Sequence, residues 1–598
     1  MKVARLEVKG AKPSDLLEAV CRARGCQTSD EMEEFLHALP PLSNPIGELP
    51  DYAKAEERLL RALKQKERIV IFGDYDCDGI TALVQMVDLL KTANHQALHW
   101  FIPDRMEDDY GLTQGAAEKC LAAFQPQLLI TVDCGSSSQA VVQFLKEQKV
   151  DCLVIDHHAT ESGLESHPAY AHLNPKAYPS LNKKLAKLSE LSAAGLVFLF
   201  CEQFIQKAKI ENWSKERALI LAGFGTVVDV MPLCHINRAL TKYSLHYANQ
   251  SEFLNKIPGL VALQQMAATS RITVQTYAFQ WGPRLNATGR LEEATCSVQL
   301  LLATDVSTAL TFAKKCEAFN QERKTVQKEI EESAFSQAEA LLSKNPNTPV
   351  LVLADKTWHP GVVGIVASRV KERWSRPAIL CGWNESAGYW KGSGRSLNPY
   401  DLGAEIKQAL KEGLLLKGGG HQAAAGLTLT LEQLESFREW LNNHCFHTLE
   451  DFQLVHEVLA EVEGKLTPDA SDLAKKWHNL FTRLEPFGMG NPTPSLLLSS
   501  AELRWGPKPQ LTRETGKVWA CRAGFSWSGN GLLFVDWPEP ERAACEWQKG
   551  ERYHLVVQVI TSQGARETVY GWRVRDCKPS DKLSETNQSA KNELTQLV

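Results

Sequence analysis

No C-x-x-C pair occurs in this sequence, and its fifteen cysteines, odd in number, are scattered from Cys21 to Cys577. That argues against a zinc ribbon and a disulfide framework and for a reducing cytoplasm. No apolar run approaches the ~20 residues that a membrane span needs. Met1-Lys2-Val3-Ala4-Arg5-Leu6-Glu7 lacks the apolar segment of a secretory signal. A soluble, cytoplasmic protein without a membrane partner is the expectation. An excess of positive charge is missing as well: the formal net charge is −5, so any nucleic-acid surface has to be a local basic patch. What is present is ordinary for a globular protein, 44% hydrophobic and 23% charged. At 598 residues the chain exceeds one core and should form several domains. No internal repeat is visible.

From about Ala53 to Val230, helical and strand-like segments alternate, which predicts a mostly parallel sheet covered on both faces. Ala53–Lys66 reads as a helix, Ile69–Phe72 as a strand and Ile80–Ala93 as a helix. Glycine and proline are both absent between Leu291 and Asn345. There, about Asp305 to Lys344 is rich in Ala, Glu, Lys and Gln at helical spacing, predicting a connector between two lobes. Two helices with an unmarked break would satisfy the same pattern. After Pro346 a second α/β unit begins, and from about Leu459 short β-type runs alternate with turns, as in a small β-barrel. The tail after Cys577 is polar, without aromatics, and is expected to be disordered.

The segment richest in chemistry is Gly73-Asp74-Tyr75-Asp76-Cys77-Asp78-Gly79, directly after the apolar run Ile69–Phe72. Three carboxylates at alternate positions at a strand end are costly unless something cationic neutralises them. Mg²⁺ and Mn²⁺ do this with carboxylate and water oxygens; a polar turn facing water is the plainer alternative. Two more apolar runs end likewise. Gln127–Val132 leads into Asp133-Cys134-Gly135, and Asp151–Ile155 into Asp156-His157-His158. Ligands of open α/β sheets sit outside the carboxyl ends of parallel strands, so the coincidence of three such ends predicts a metal site. Asp229 in Val228-Asp229-Val230-Met231 reads alone as a turn or a cap.

Further motifs follow: Gly225-Thr226-Val227-Val228-Asp229, Gly282-Pro283-Arg284-Leu285-Asn286-Ala287-Thr288-Gly289-Arg290, Gly392-Ser393-Gly394-Arg395-Ser396, Gly419-Gly420-His421 with Ala424-Ala425-Gly426, and Pro486-Phe487-Gly488-Met489-Gly490-Asn491-Pro492. In this order the set resembles the DHH phosphoesterase superfamily, and within it the bacterial exonucleases specific for single-stranded DNA, over roughly residues 50–580. The resemblance implies an α/β fold: a mostly parallel-sheet DHH domain (51–304) after a helical lead-in (1–50). A long helix (305–345) would join it to a smaller α/β DHHA1 domain (346–458), with an OB-type β-barrel (459–578) and a disordered tail (579–598) beyond. It implies two divalent metal ions, Mn²⁺ or Mg²⁺, on Asp74, Asp76, Asp78, Asp133, His157 and Asp229, with Asp133 bridging. His158 would contact a phosphate oxygen or protonate the leaving group, and Asp156 would orient a histidine.

The same resemblance makes Ser393, Gly394, Arg395 and His421 contacts to the 5′ end or the scissile phosphate. The residues alone also allow a tight hairpin with a solvated arginine and a glycine-rich turn around a buried histidine. Arg105, Arg284 and Arg290 are further phosphate-binding candidates, with surface charge as the alternative. Trp505, Trp519, Phe525, Trp527, Trp537 and Tyr553 are numerous enough to stack bases in an OB-type groove, although aromatics at strand spacing usually fill a core. Departures from the family pattern are Phe72, Asp109, Ala193 and Gly418, and none removes a metal ligand. The implied activity is hydrolysis of single-stranded DNA 5′→3′ to 5′ mononucleotides, in repair and recombination. A monomer working beside single-strand-binding protein and repair proteins is implied with it. The competing readings are a phosphodiesterase of short oligonucleotides and a non-catalytic replication scaffold. A family II inorganic pyrophosphatase, shorter and two-domained, fits poorly.

Overall fold

The computed structural model describes residues 17–104, 111–160, 167–178, 181–291, 294–385, 387–445, 460–461, 470–511, 518–526, 532–537, 547–549, 551–563 and 568–579, apart from 19 and 23. Contacts divide the chain into two compact units, Leu42–Leu454 and a second made of Met1–Pro41 with Val455–Val598.

The first unit opens with five parallel strands: β1 (Ile69–Gly73), β2 (Leu98–Phe101), β3 (Leu128–Val132), β4 (Asp151–Ile155) and β5 (Ala171–Leu173), in the order β2-β1-β3-β4-β5. β1 and β3 are buried along their whole length, which is why they read as predominantly apolar runs. The helix after β1 spans Cys77–Thr92 and begins three residues before the predicted Ile80. The cause is Asp76, whose carboxylate accepts hydrogen bonds from the Asp78 and Gly79 amides and caps the helix. Asp78 thus sits in a helical first turn rather than in a loop. Helices complete this lobe, among them Ala193–Ala208, Lys215–Val228 and His235–Ala248.

Val306–Lys344 is one unbroken helix of 39 residues, about 60 Å long at ~1.5 Å per residue. Asp305 caps it by accepting the Thr308 amide. Ala309, Ala313 and Cys316 pack in the core of the first lobe, and Ile330, Ala334 and Ala338 in that of the second. The second lobe has a mixed sheet of β6 (Leu351–Asp355), β7 (Ala378–Asn384), β8 (Tyr389–Arg395), β9 (Lys417–His421) and β10 (Ala424–Leu429), ordered β6-β7-β8-β10-β9. Only its β6–β7 pair is parallel.

In the other unit β11 (Ala460–Glu461) pairs with the edge of β12 (Leu496–Leu511). β12, β13 (Val518–Ser526), β14 (Leu532–Trp537), β16 (Thr568–Pro579) and β15 (Arg552–Gln563) follow in that order, and a β12–β15 pairing closes five strands into the OB-type barrel. Phe525 and Tyr553 lie in its core with ring centroids 6.0 Å apart. Trp505 is half-buried with Lys508 Nζ 4.9 Å from its ring centroid. Trp527 and the side chains of Trp519 and Trp537 are outside the described residues. The segment 1–50, read as one lead-in, divides: Leu17, Val20, Cys21 and Cys26 join the barrel core, whereas Ile46 and Leu49 join the core of the first lobe. A partner so distant in sequence leaves no local pattern. Among the described residues, no helix is long and apolar enough to cross a membrane.

Candidate metal centre and phosphate site

The carboxyl ends of β1, β3 and β4 deliver their acids and histidines to one place. Asp74 follows β1, Asp133 follows β3 in the left-handed region (φ 65°), and Asp156-His157-His158 follows β4. Asp229 ends helix Lys215–Val228 as its C-cap and still turns its carboxylate inward. His157 Nε2 lies 3.2 Å from Asp133 Oδ1, 3.6 Å from Asp229 Oδ2 and 3.8 Å from Asp78 Oδ2. Potential ligand atoms fall into groups no more than 4.8 Å across: Asp74, Asp76 and Asp133; Asp78, His157 and Asp229; and Asp133, His157 and His158. Asp133 joins the first group to the histidines.

Neighbouring segments hold this arrangement. Asp78 accepts hydrogen bonds from the amides of Ala193 (2.7 Å) and Ala194 (3.0 Å), the first turn of helix Ala193–Ala208. A Cβ at Gly225 would stand 2.8 Å from Asp78 Oδ1 and 2.5 Å from Thr81 Oγ1, so this helix passes the acid only as glycine. Asn286 Oδ1 accepts the Cys77 amide (2.8 Å) and fixes the helix start between Asp76 and Asp78. Asp156 is saturated within the protein. It accepts the amides of Ser136, His157 and His158 and lies 2.7 Å from His158 Nδ1. Asn174 Nδ2 donates to Ser136 Oγ and to the His158 carbonyl, both at 2.8 Å.

The electrostatics separate the two kinds of acid. Burial, then the charge of Asp76, raises Asp78 to about 7. Burial and neighbouring carboxylates push Asp133 and Asp229 well above the usual range. For Asp156, burial acts upward but is outweighed by the hydrogen bond and charge of His158, and its pKa falls. Burial and then the charge of His158 lower His157 to about 3, so it stays a neutral imidazole. Burial would lower His158 as well, but its hydrogen bond to Asp156 prevails and raises it. Asp133 Oδ1 is buried and accepts no hydrogen bond. Crowded carboxylates, an unsatisfied oxygen and a neutral imidazole fit a pair of hard divalent cations. A cavity of about 350 Å³ lined by Leu112, Thr113, Ser137, Asp156 and His158 opens beside the cluster.

A second group assembles around Gly361 and the start of helix Val363–Trp374. Arg290 Nη1 donates to the Gly361 carbonyl at 3.0 Å. Arg395 Nη1 donates to Ser393 Oγ (3.0 Å) and to the Gly394 carbonyl (2.8 Å). A Cβ at Gly364 would come within 2.7 Å of Ser393 Oγ and 3.2 Å of Arg395 Nη2. Helix Gly282–Leu291 links both groups, since Asn286 holds the Cys77 amide, Gly289 packs on the Tyr75 carbonyl and Arg290 reaches Gly361. Other candidates stand apart. Gly394 faces Leu402 and Ile379 in the core of the second lobe. Arg284 forms an ion pair with Glu317 of the long helix at 2.5 Å. His421 is exposed on the β9–β10 hairpin. Arg105 and Asp109 are outside the described residues. Sequence reading missed Ser136, Asn174 and the Ala193 and Ala194 amides. The serines that follow Gly135 and the family-pattern position of Ala193 were the signals for them.

The sequence matches the DHH family, N-terminal domain, over residues 68–224 and the DHHA1 domain over residues 347–445. It is 30% identical over 493 residues to the single-stranded-DNA-specific exonuclease RecJ of Escherichia coli K12, covering 80% of this chain and 82% of that one. The chain belongs to the RecJ family. The Bacillus subtilis RecJ is 31% identical over 496 residues, which are 82% of this chain and 59% of that relative's length. The structure of RecJ from Thermus thermophilus in complex with Mn²⁺ superposes with a TM-score of 0.73 at 27% identity, over 94% of this chain and 76% of that one. The RecJ family likeness therefore includes the barrel as well as the two matched domains.

Proposed function

We propose that the chain is a metal-dependent exonuclease that hydrolyses single-stranded DNA 5′→3′ and releases 5′ mononucleotides. The observation that carries this reading is the gathering of Asp74, Asp76, Asp78, Asp133, His157 and Asp229 in adjoining groups of ligand atoms beside His158. Two divalent cations, Mn²⁺ or Mg²⁺, would supply Lewis-acid stabilisation of the phosphoryl oxygens and an acidified water. Asp74, Asp76 and Asp133 would hold one ion and Asp78, His157 and Asp229 the other, with Asp133 as the common ligand. RecJ of Thermus thermophilus solved with Mn²⁺ and with Mg²⁺ supports that choice of ion.

His158, aligned by Asp156, whose hydrogen bond prevails over burial and raises its pKa, donates a proton to the leaving oxygen. Arg290, Ser393 and Arg395 grip the 5′-terminal phosphate, because a guanidinium and a hydroxyl on one β-strand face suit a phosphate oxygen pair. Lys508 and Trp505 on the barrel offer a cation and a stacking surface to the strand. The reading extends to a cytoplasmic monomer acting with single-strand-binding protein and repair proteins.

Oligonucleotides labelled at either end, single-stranded or blunt duplex, incubated with Mn²⁺ and with Asp133→Ala as control, test it. Immediate release of labelled mononucleotide from the 5′ end of the single strand alone is expected. Hydrolysis restricted to di- and trinucleotides would replace it with the short-substrate reading, and inactivity on every substrate with the scaffold.

A further inference from the structure

We infer that Glu190, Cys234 and His235 form a second, chemically distinct cation site, one for a thiophilic divalent ion of the Zn²⁺ class. Their ligand atoms lie within 4.8 Å of one another, and Cys234 Sγ is 3.1 Å from Glu190 Oε2. A thiolate, an imidazole and a carboxylate are the donors that zinc takes in tetrahedral geometry, with water at the fourth position. The all-but-one-oxygen set of the catalytic cluster favours hard ions instead. The two sites therefore sort cations by softness.

The three donors come from two segments that the fold already ties together. Buried Asn237 donates from Nδ2 to the carbonyls of Glu190 (2.6 Å) and Pro232 (3.0 Å). Cys234 is the N-cap residue of helix His235–Ala248 but makes no side-chain capping bond; its thiol faces Glu190. His235 adopts φ 46°, a region that residues with a β-carbon seldom occupy. Glu190 and Cys234 are half-buried while His235 is exposed, which leaves a path for the ion from solvent. Burial and Glu190 hold the free thiol at about 12, against the charge of Arg238. Uptake of the cation thus replaces the thiol proton, which leaves to solvent.

Position gives the site its consequence. Glu190 lies just before Ser192, Ala193 and Ala194, whose helix start holds Asp78, and Cys234 follows Asp229 by five residues. An ion bound here cross-links the two segments that place Asp78 and Asp229. Its binding requires no nucleic acid, so it stands or falls apart from the exonuclease reading.

Co²⁺ is the probe, titrated into the full-length chelator-stripped protein with excess Mg²⁺ present to occupy the hard cluster. A near-ultraviolet thiolate-to-cobalt charge-transfer band that saturates at one equivalent is expected. It should vanish in Cys234→Ser, persist in Asp133→Ala and bleach on addition of Zn²⁺. Glu190→Gln and His235→Ala should each weaken Co²⁺ binding by about tenfold or more, with circular dichroism confirming that each variant is folded. No band in the wild type, a band that survives Cys234→Ser or disappears in Asp133→Ala, or wild-type affinity in both Glu190→Gln and His235→Ala would overturn the site.

Discussion

The strand-end cluster and the Ser393–Arg395 group differ in how they are held. In the first lobe two of the acids are held by backbone and glycine constraints: Asp78 rests on two helix amides, Asp156 takes three amides, and Gly225 leaves no spare space beside Asp78. In the second lobe Arg395 donates to Ser393 Oγ and the Gly394 carbonyl of its own strand, and the Ser393 and Arg395 side chains are both partly exposed. Rigid placement suits ions that tolerate little geometric error. A partly exposed guanidinium suits a phosphate that must arrive and leave after each cycle.

The largest effect is expected from Asp133→Ala. Removing the acid common to both ligand sets should lower turnover by well over the ~10–100-fold that loss of an outer-layer partner costs, with the fold intact by circular dichroism. Wild-type rates would remove the metal assignment. Next comes stability without cations. Because the folded-state pKa of Asp78 is raised to about 7, the chelated protein holds a proton there that the unfolded chain gives up near 4. Its stability should fall as pH rises from about 4 to 7, and Mn²⁺ or Asp78→Asn should flatten that slope in thermal melts. A slope of opposite sign would mean that the acids are compensated within the protein.

Gly225→Ala tests the tightness itself. The added methyl meets Asp78 and Thr81 and should weaken Mn²⁺ binding roughly 10–100-fold and destabilise the protein by about 1–3 kcal/mol, read by calorimetry. Arg395→Ala should have the smallest effect. Substrate KM should rise about tenfold, in line with loss of a charge-assisted hydrogen bond, while Mn²⁺ affinity stays unchanged. The converse pattern would place Arg395 among the metal-holding residues.

The acids after β1, β3 and β4 were legible in the sequence because each terminates an apolar run, and buried parallel strands announce themselves by such runs. Asp229 was not, since a helix C-cap ahead of a turn looks the same whether its carboxylate points inward or out. The hold on Asp78 was hidden for a different reason: the donors are backbone amides, which every residue but proline has. This also explains why Ala193, a departure from the family pattern, leaves the site intact, because its amide and not its side chain is used. Arginine at a motif position is equally ambiguous from sequence. Arg290 bridges to the second lobe, whereas Arg284, six residues earlier in the same helix, is matched to Glu317. Which carboxylate or carbonyl meets a guanidinium is decided by tertiary packing, beyond any local pattern.

The unbroken helix Val306–Lys344 has its two ends set in different cores, so its residue count is a rotational setting as well as a length. Deleting two residues from its middle would shorten it by only ~3 Å but would turn one lobe against the other by about 200°. A seven-residue deletion would bring the faces back nearly into phase and draw the lobes about 10 Å closer. Lineages that change this segment should therefore gain or lose near-whole turns, and the register of the helix, more than its sequence, should be what selection preserves.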